Sequence, residues 1–257
     1  MPFNVGGKIW NGGMAKEQAW ISDPASTVIT RGLVAHLDAT NISSYTGAGT
    51  TWTDLSGDGY NATLNNTPTW TGGTSGYFNF DGSNEYAVIA DNAALRLTTF
   101  TFSAWVIADD VTDVGGDYLT LYDDRETDSS GNGFFLGIYD STQTWMAAAT
   151  SAGGFLHHTG STNYSGTVVS PGKWYHIALT VDETNDVSTL YENGILIGSN
   201  TCDGYTASTA SKMIGKQAYG NTRYWDGKVS TVLINDRALS AAELTYIFNS
   251  QRSRYGV

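Results

Sequence analysis

The sequence predicts an all-β fold: two antiparallel sheets packed as a jelly-roll sandwich, with one short C-terminal helix and an N-terminal arm. Three observations predict it. Apolar residues alternate with period two in short runs that Gly, Asn and Asp interrupt. Of 257 residues only 15% are charged while 30 are glycine, a balance suited to many tight turns. A helical apolar spacing is well signalled once, near the C-terminus. A chain of this length suits one large β domain and needs no metal or disulfide to fold.

Residues 1–30 differ from the rest. They carry Gly6-Gly7, Gly12-Gly13, a possible helical turn at Ala15–Trp20 and a turn at Asp23-Pro24. They read as an anchoring or oligomerisation arm ahead of a sandwich at 31–257; a first strand pair of the same domain is the alternative. Phe3, Ile9, Trp10 and Trp20 would be the arm's interface anchors.

Strands are predicted at Leu33–Leu37, Tyr77–Phe80, Tyr86–Ile89, Tyr118–Tyr122, Phe134–Ile138, Thr144–Ala149 and Lys228–Ile234. In Phe100–Ile107, Phe100, Phe102, Ala104 and Val106 point one way, and Thr101, Ser103, Trp105 and Ile107 the other. Trp174–Val181 sets Tyr175, Ile177, Leu179 and Val181 against Trp174, His176, Ala178 and Thr180. Val187–Glu192, Asn193-Gly194 and Ile195–Ile197 make a hairpin, because Asn-Gly tolerates the positive φ of a tight turn. Ser240 and Glu243 have capping-box spacing ahead of Leu244, Ile247 and Phe248, with Leu239 completing the apolar stripe.

The formal net charge is −12. Phosphate backbones bind through cationic side chains, so neither nucleic acid nor an anionic membrane is an expected partner. Cys202 is the single cysteine, which excludes an internal disulfide and a thiolate zinc cluster. The N-terminus has no basic start and apolar core of a secretory signal, and no apolar run reaches transmembrane length, so signal-directed export is not expected.

Retaining glycoside hydrolysis needs two carboxyls about 5–5.5 Å apart. Glu126 and Asp128 come nearest, but Ser130 stands where a second glutamate is needed, so no catalytic residues are assigned. Adjacent His157 and His158 would face opposite sides of a strand, and His36 and His176 sit in apolar strands as core or boundary residues. Asp109, Asp110, Asp113, Asp117, Asp123, Asp124, Glu126 and Asp128 crowd one region beside Arg125. They read first as solvated loop carboxylates and second as oxygen ligands for calcium. Most of the aromatic residues are expected in the core. Trp105 and Trp145 are the candidates for a glycan-stacking platform on a concave sheet.

Several segments, in order, resemble one family. Phe78–Tyr86, Phe100–Val106, Trp174–Asp182, Leu190–Gly194, Trp225–Val229 and Asn235–Leu244 are similar to the motifs of the concanavalin A-like lectin/glucanase superfamily in its laminin-G-like branch. Glu192 replaces the usual apolar residue. The resemblance covers residues 32–250 and implies a structural calcium site joining the turn at Asp81 to the strand at Asp226. Gly32–Ala39 with Gly49–Gly57, and the ending Phe248–Val257, resemble the version of this domain found in virion proteins of tailed bacteriophages. That implies a non-catalytic virion structural protein, a capsid decoration or a tail or fibre component, made in the host cytoplasm. Its expected partners are other virion proteins or copies of itself, and glycans at the host surface. A carbohydrate-binding module of a bacterial surface or secreted protein is the alternative.

Overall fold

The computed structural model describes residues 27–112, 118–127, 132–139, 142–149, 154–157, 168–202, 205–220 and 222–257. Its strands are β1 (Leu33–Asp38), β2 (Thr51–Trp52), β3 (Ala62–Asn65), β4 (Thr69–Thr71), β5 (Tyr77–Asp81), β6 (Tyr86–Ile89), β7 (Phe100–Ala108) and β8 (Tyr118–Asp123). They continue with β9 (Phe134–Tyr139), β10 (Thr144–Ala149), β11 (Gly154–His157), β12 (Tyr175–Asp182), β13 (Val187–Glu192), β14 (Ile195–Asn200), β15 (Lys212–Ile214) and β16 (Asp226–Asn235). Helix α1 spans Ala241–Tyr255.

Two antiparallel sheets pack face to face as a jelly-roll sandwich. The first runs β14-β13-β12-β7-β16-β5-β4, with β1 also on β16; the second runs β11-β10-β9-β8-β15-β6-β3-β2. Strand β16 is the organising element. One edge pairs along β7, from Gly227↔Ala108 to Asn235↔Thr101. Its other edge serves β5 in its first half and β1 in its second. Gly227 makes the close approach possible: its φ is +141°, and a Cβ there would sit 2.1 Å from the Ile107 carbonyl oxygen.

The predicted alternation holds. Phe100, Phe102, Ala104 and Val106 of β7 join Tyr175, Ile177, Leu179 and Val181 of β12 in the inter-sheet core. The opposite side chains are buried as well, because α1 lies across the outer face of the first sheet. Glu243, Leu244, Ile247, Gln251 and Tyr255 turn inward at near-helical spacing. Ser240 and Glu243 close the capping box, and Gly256 ends the helix at φ 71°.

Short strands β2, β3, β4, β11 and β15 were not predicted. Each is held by its neighbours in the sheet rather than by a long apolar period of its own. The Thr51–Gly57 segment is stapled by Asp54. Its carboxylate accepts from the backbone of His36, Ser56, Gly59 and Tyr60 at 2.8–3.0 Å and from Ser56 Oγ at 2.6 Å. Burial raises its pKa, and these bonds outweigh burial and hold it below the usual carboxylate range. That sequence signature is therefore structural.

The boundary expected at residue 31 falls inside the fold. Val28 and Ile29 are buried against Leu233, Leu239, Leu244 and Ile247. The Thr27 carbonyl accepts from Ser250 and Gln251, and the Ile29 carbonyl from Asn235. Residues 27–30 thus belong to the sandwich because they cover the α1 seam. Residues 1–26, with the expected arm anchors Phe3, Ile9, Trp10 and Trp20, lie outside the described residues.

Removing residues 1–31 is expected to cost about 3–5 kcal/mol more stability than removing residues 1–26, since Val28 and Ile29 leave the core. Urea unfolding of the two truncations measures the difference, and equal midpoints would reject it. A second expectation concerns His176. Its imidazole is buried with no hydrogen bond to either nitrogen, and burial lowers its pKa from 6.5 to about 3. Protons then bind the unfolded chain preferentially, so stability falls as pH drops from about 6.5 towards 3, by about 1.4 kcal/mol per pH unit. His176→Phe should recover about 2–3 kcal/mol of the loss between pH 7 and pH 4.5. An unchanged loss would show that other groups carry it.

Candidate functional site

The two tryptophans expected to stack a glycan are both buried. Trp105 is 1% exposed, beneath α1. Its ring stacks on Tyr255 and Phe248 at 4.1 and 5.7 Å, and its Nε1 donates to Gln251 Oε1 at 2.6 Å. Trp145 is fully buried between the sheets, stacked on Trp225 at 6.3 Å. Its Nε1 donates to Glu192 Oε2 at 3.0 Å, which explains a glutamate where the family motif is apolar. Neither indole can stack a sugar. Strand alternation gave their faces, but both faces proved to be covered.

The acidic run is not one solvated loop. Asp123 and Asp124 are buried. Asp123 accepts three bonds from Arg125, one from its backbone amide at 2.9 Å and two from its guanidinium at 3.0 and 2.8 Å. Asp124 accepts the Phe134 amide at 2.9 Å and lies 3.4 Å from the buried Lys212 Nζ. Burial nonetheless lifts Asp124 to about 6, with Lys212 opposing. Glu126 accepts from Thr209 through its backbone and hydroxyl, and Asp109 pairs with Lys228 at 2.8 Å. Asp113, Asp117, Asp128, Ser130 and His158 lie outside the described residues. His36 is mostly buried, 3.9 Å from Asp38, and burial lowers its pKa.

Asp81 and Asp226 do meet, as cross-strand partners of β5 and β16. Asp81 Oδ1 accepts the backbone amides of Ser83, Asn84 and Glu85. Burial and the nearby charges of Asp109, Asp110 and Asp81 raise Asp226. The crowding fits a cation. The side-chain count falls short, however: among the described residues no group of three or more His, Cys, Asp or Glu is arranged to hold a metal.

Helix α1 covers the outer face of the first sheet and leaves the outer face of the second to other groups. There Tyr118, Phe135, Met146 and Ala148 form a small apolar cluster separate from the main core. Arg125 lies over it, its guanidinium carbon 4.3 Å from the Phe135 ring centre and 5.0 Å from that of Tyr219. Arg125 Nη2 donates to Tyr118 Oη at 3.0 Å, and Tyr118 and Tyr219 hydroxyls meet at 3.1 Å. Arg223 stacks on the Tyr118 ring at 4.0 Å and donates to its hydroxyl. Lys216 lies over Tyr86 at 4.7 Å and Tyr224 at 6.0 Å.

Local structure puts these groups together. Residues 215–220 and 222–225 run antiparallel between β15 and β16: Lys216 bridges Tyr224, and the Gln217 amide donates to the Arg223 carbonyl at 3.0 Å. These segments lie beside β8 because β15 pairs with it at Met213↔Asp123. Burial raises the Asp123 pKa, while its bonds to Arg125 favour the ionised carboxylate. For Arg125, burial opposes the charge, and the Asp123 bonds and charge outweigh it and raise its pKa. Arg125 is thus a fixed cation in the floor, while Tyr219, Arg223 and Lys216 are half-buried at the rim. The sequence marked Arg125 only as the cation beside the acidic run. Tyr118 and Phe135 were read only as strand residues, and nothing in the linear pattern joined 118–125 to 216–224.

Solved structures share the fold. The binding domain of Paraclostridial Mosquitocidal Protein 1 superposes with a TM-score of 0.64 at 20% identity, over 85% of this chain and 52% of that one. Trypanosoma rangeli sialidase in complex with sialic acid gives 0.61 at 19% identity, over 87% and 33%. Domain 4 of the extracellular GH43 arabinanase AbnA from Geobacillus stearothermophilus, in complex with arabinotriose, gives 0.58 at 18% identity, over 84% and 97%. The chain therefore spans about half of the mosquitocidal domain and a third of the sialidase. No curated protein matches it by sequence. Residues 81–245, more than half of the chain, match the laminin-G-like family profile, and the chain belongs to the concanavalin A-like lectin/glucanases superfamily.

Proposed function

We propose that this chain is a non-catalytic module that binds carbohydrate through the outer face of its second sheet. The observation that carries the reading is the half-buried pair Tyr219 and Arg223 above the buried Tyr118 and Arg125, on a sheet face that α1 does not cover. Aromatic rings offer flat apolar surfaces to the C–H faces of sugars, and guanidinium groups donate to ring and hydroxyl oxygens. Arg125 supplies rigidity, because Asp123 and three rings fix its plane. Support by analogy comes from the arabinanase domain solved with arabinotriose, which shares the fold over nearly its full length. The motifs at 32–39 and 49–57 favour the setting of a tailed-phage virion protein, with copies of itself or other virion proteins as partners and host-surface glycans as ligands. A bacterial surface or secreted protein is the second setting, and the glycan site is common to both.

A glycan array probed with the whole chain should give positive spots. Tyr219→Ala and Arg223→Ala should each weaken the best of them by about tenfold, the scale of one lost stacking or charged hydrogen-bond contact. Absence of binding across the array would refute the reading.

Calcium at Asp81 and Asp226 is a separate structural proposal, supported by the crowding of carboxylates around Asp226. The ion would neutralise that crowding and tie β5 to β16. Millimolar calcium should then raise the melting temperature and EDTA reverse it, by mass action on the folded state. Asp226→Asn should abolish the response; identical melts with calcium and with EDTA would remove the proposal.

A further inference from the structure

We infer that a second sugar-binding subsite lies at the start of β12, in a cleft between the Gly172–Trp174 segment, the Asn193-Gly194 turn and the C-terminal end of α1. The inference takes only its class of ligand from the glycan-binding reading above, and its residues are separate from Tyr219 and Arg223. The cleft is open to solvent, with a volume of about 430 Å³. Small-molecule sites usually measure about 300–1,000 Å³. Gly172 and Gly256 line it from two different segments, and a Cβ added to either would meet no heavy atom within 4 Å.

Trp174 supplies the platform. Its ring packs against Tyr77, at 6.1 Å and 60°, and against Tyr255, at 4.7 Å and 50°. Tyr255 is fixed in turn, since its hydroxyl meets those of Ser230 and Thr231 at 2.9 and 3.1 Å. The indole thus has a set position, yet it is only half-buried, and its Nε1 makes no hydrogen bond to the described residues. Trp105, Trp145 and Trp225, by contrast, are buried and pair theirs. Asn193 supplies a directed donor. Its Oδ1 accepts the His176 amide at 2.9 Å, and its own backbone amide donates to the His176 carbonyl at 2.7 Å. Those two bonds fix the carboxamide and leave Nδ2 without a partner among the described residues, in a side chain that lines the cleft. Lys173 lines it too, exposed and without an ion pair to the described residues. This mixture sets the class of ligand. An aromatic face takes the C–H face of a sugar ring, while indole, amide and ammonium donors serve its ring and hydroxyl oxygens. A wholly apolar ligand would leave those donors unmatched. Lys173 is the single cation among the described residues that line the cleft, too little charge for a polyanion.

Titration calorimetry of the full chain with arabinotriose, maltotriose, cellotriose, chitotriose and sialyllactose tests this. At least one sugar should bind, and Trp174→Ala should weaken it by about tenfold or more, the scale of a lost aromatic anchor. Asn193→Asp guards against a folding artefact: aspartate keeps the acceptor for the His176 amide and tolerates the φ of 53°, but lacks the donor. It should weaken the same sugar by about fivefold or more with an unchanged melt. A double variant, Tyr219→Ala with Arg223→Ala, should hold that affinity to within about twofold. Full affinity in both cleft variants, with binding lost in the double variant, would overturn the inference and leave the outer-face site standing. No binding by any of the five sugars would also overturn it; joined to a blank glycan array, that result would remove the glycan reading as well.

Discussion

The contact of α1 with Trp105 governs what the rest of the molecule can do. A sandwich of two sheets has two outer faces, and an aromatic side chain on either is costly to leave in water. Here the indole is stacked on Tyr255 and Phe248 and hydrogen-bonded by Gln251. The same helix ties down the start of the described chain, since Ser250 and Gln251 donate to Thr27 and the Val28–Ile29 pair fills the seam. Helix, first sheet and entering chain therefore form one unit. One consequence is that the indole of Trp105, on the outer face of the first sheet, is closed to solvent.

On the second sheet the aromatic residues are arranged differently. Trp145 and Trp225 stack within the core, whereas Tyr118, Phe135 and Tyr219 collect on the outer side around Arg125. Buried guanidinium groups are tolerated when they are paired and stacked, and Arg125 is both. Such a group is expensive as a stability device alone, because an apolar replacement often serves as well. The pair at Asp81 and Asp226 shows the opposite balance, with carboxylates brought together and Asp226 raised by its neighbours.

The alternating strands, the Asn-Gly hairpin and the capped helix were legible in the sequence because each depends on neighbours in the chain: pleat, turn conformation and helical spacing are local. The cross-strand meeting of Asp81 and Asp226 was foreseeable from family motifs, since those motifs encode strand order. Which of the two faces of a strand stays open is another matter. Trp105 and Trp145 look alike in linear context, yet one lies under a helix that starts more than a hundred residues later and the other lies between the sheets. Likewise, Tyr118 and Arg223 become neighbours only because β15 settles beside β8. Sequence alone determined the class of fold and the period of its strands. Tertiary structure decided which aromatics are core, which strand faces are covered and where the carboxylates find their partners, because burial and charge pairing depend on contacts between segments far apart in the chain.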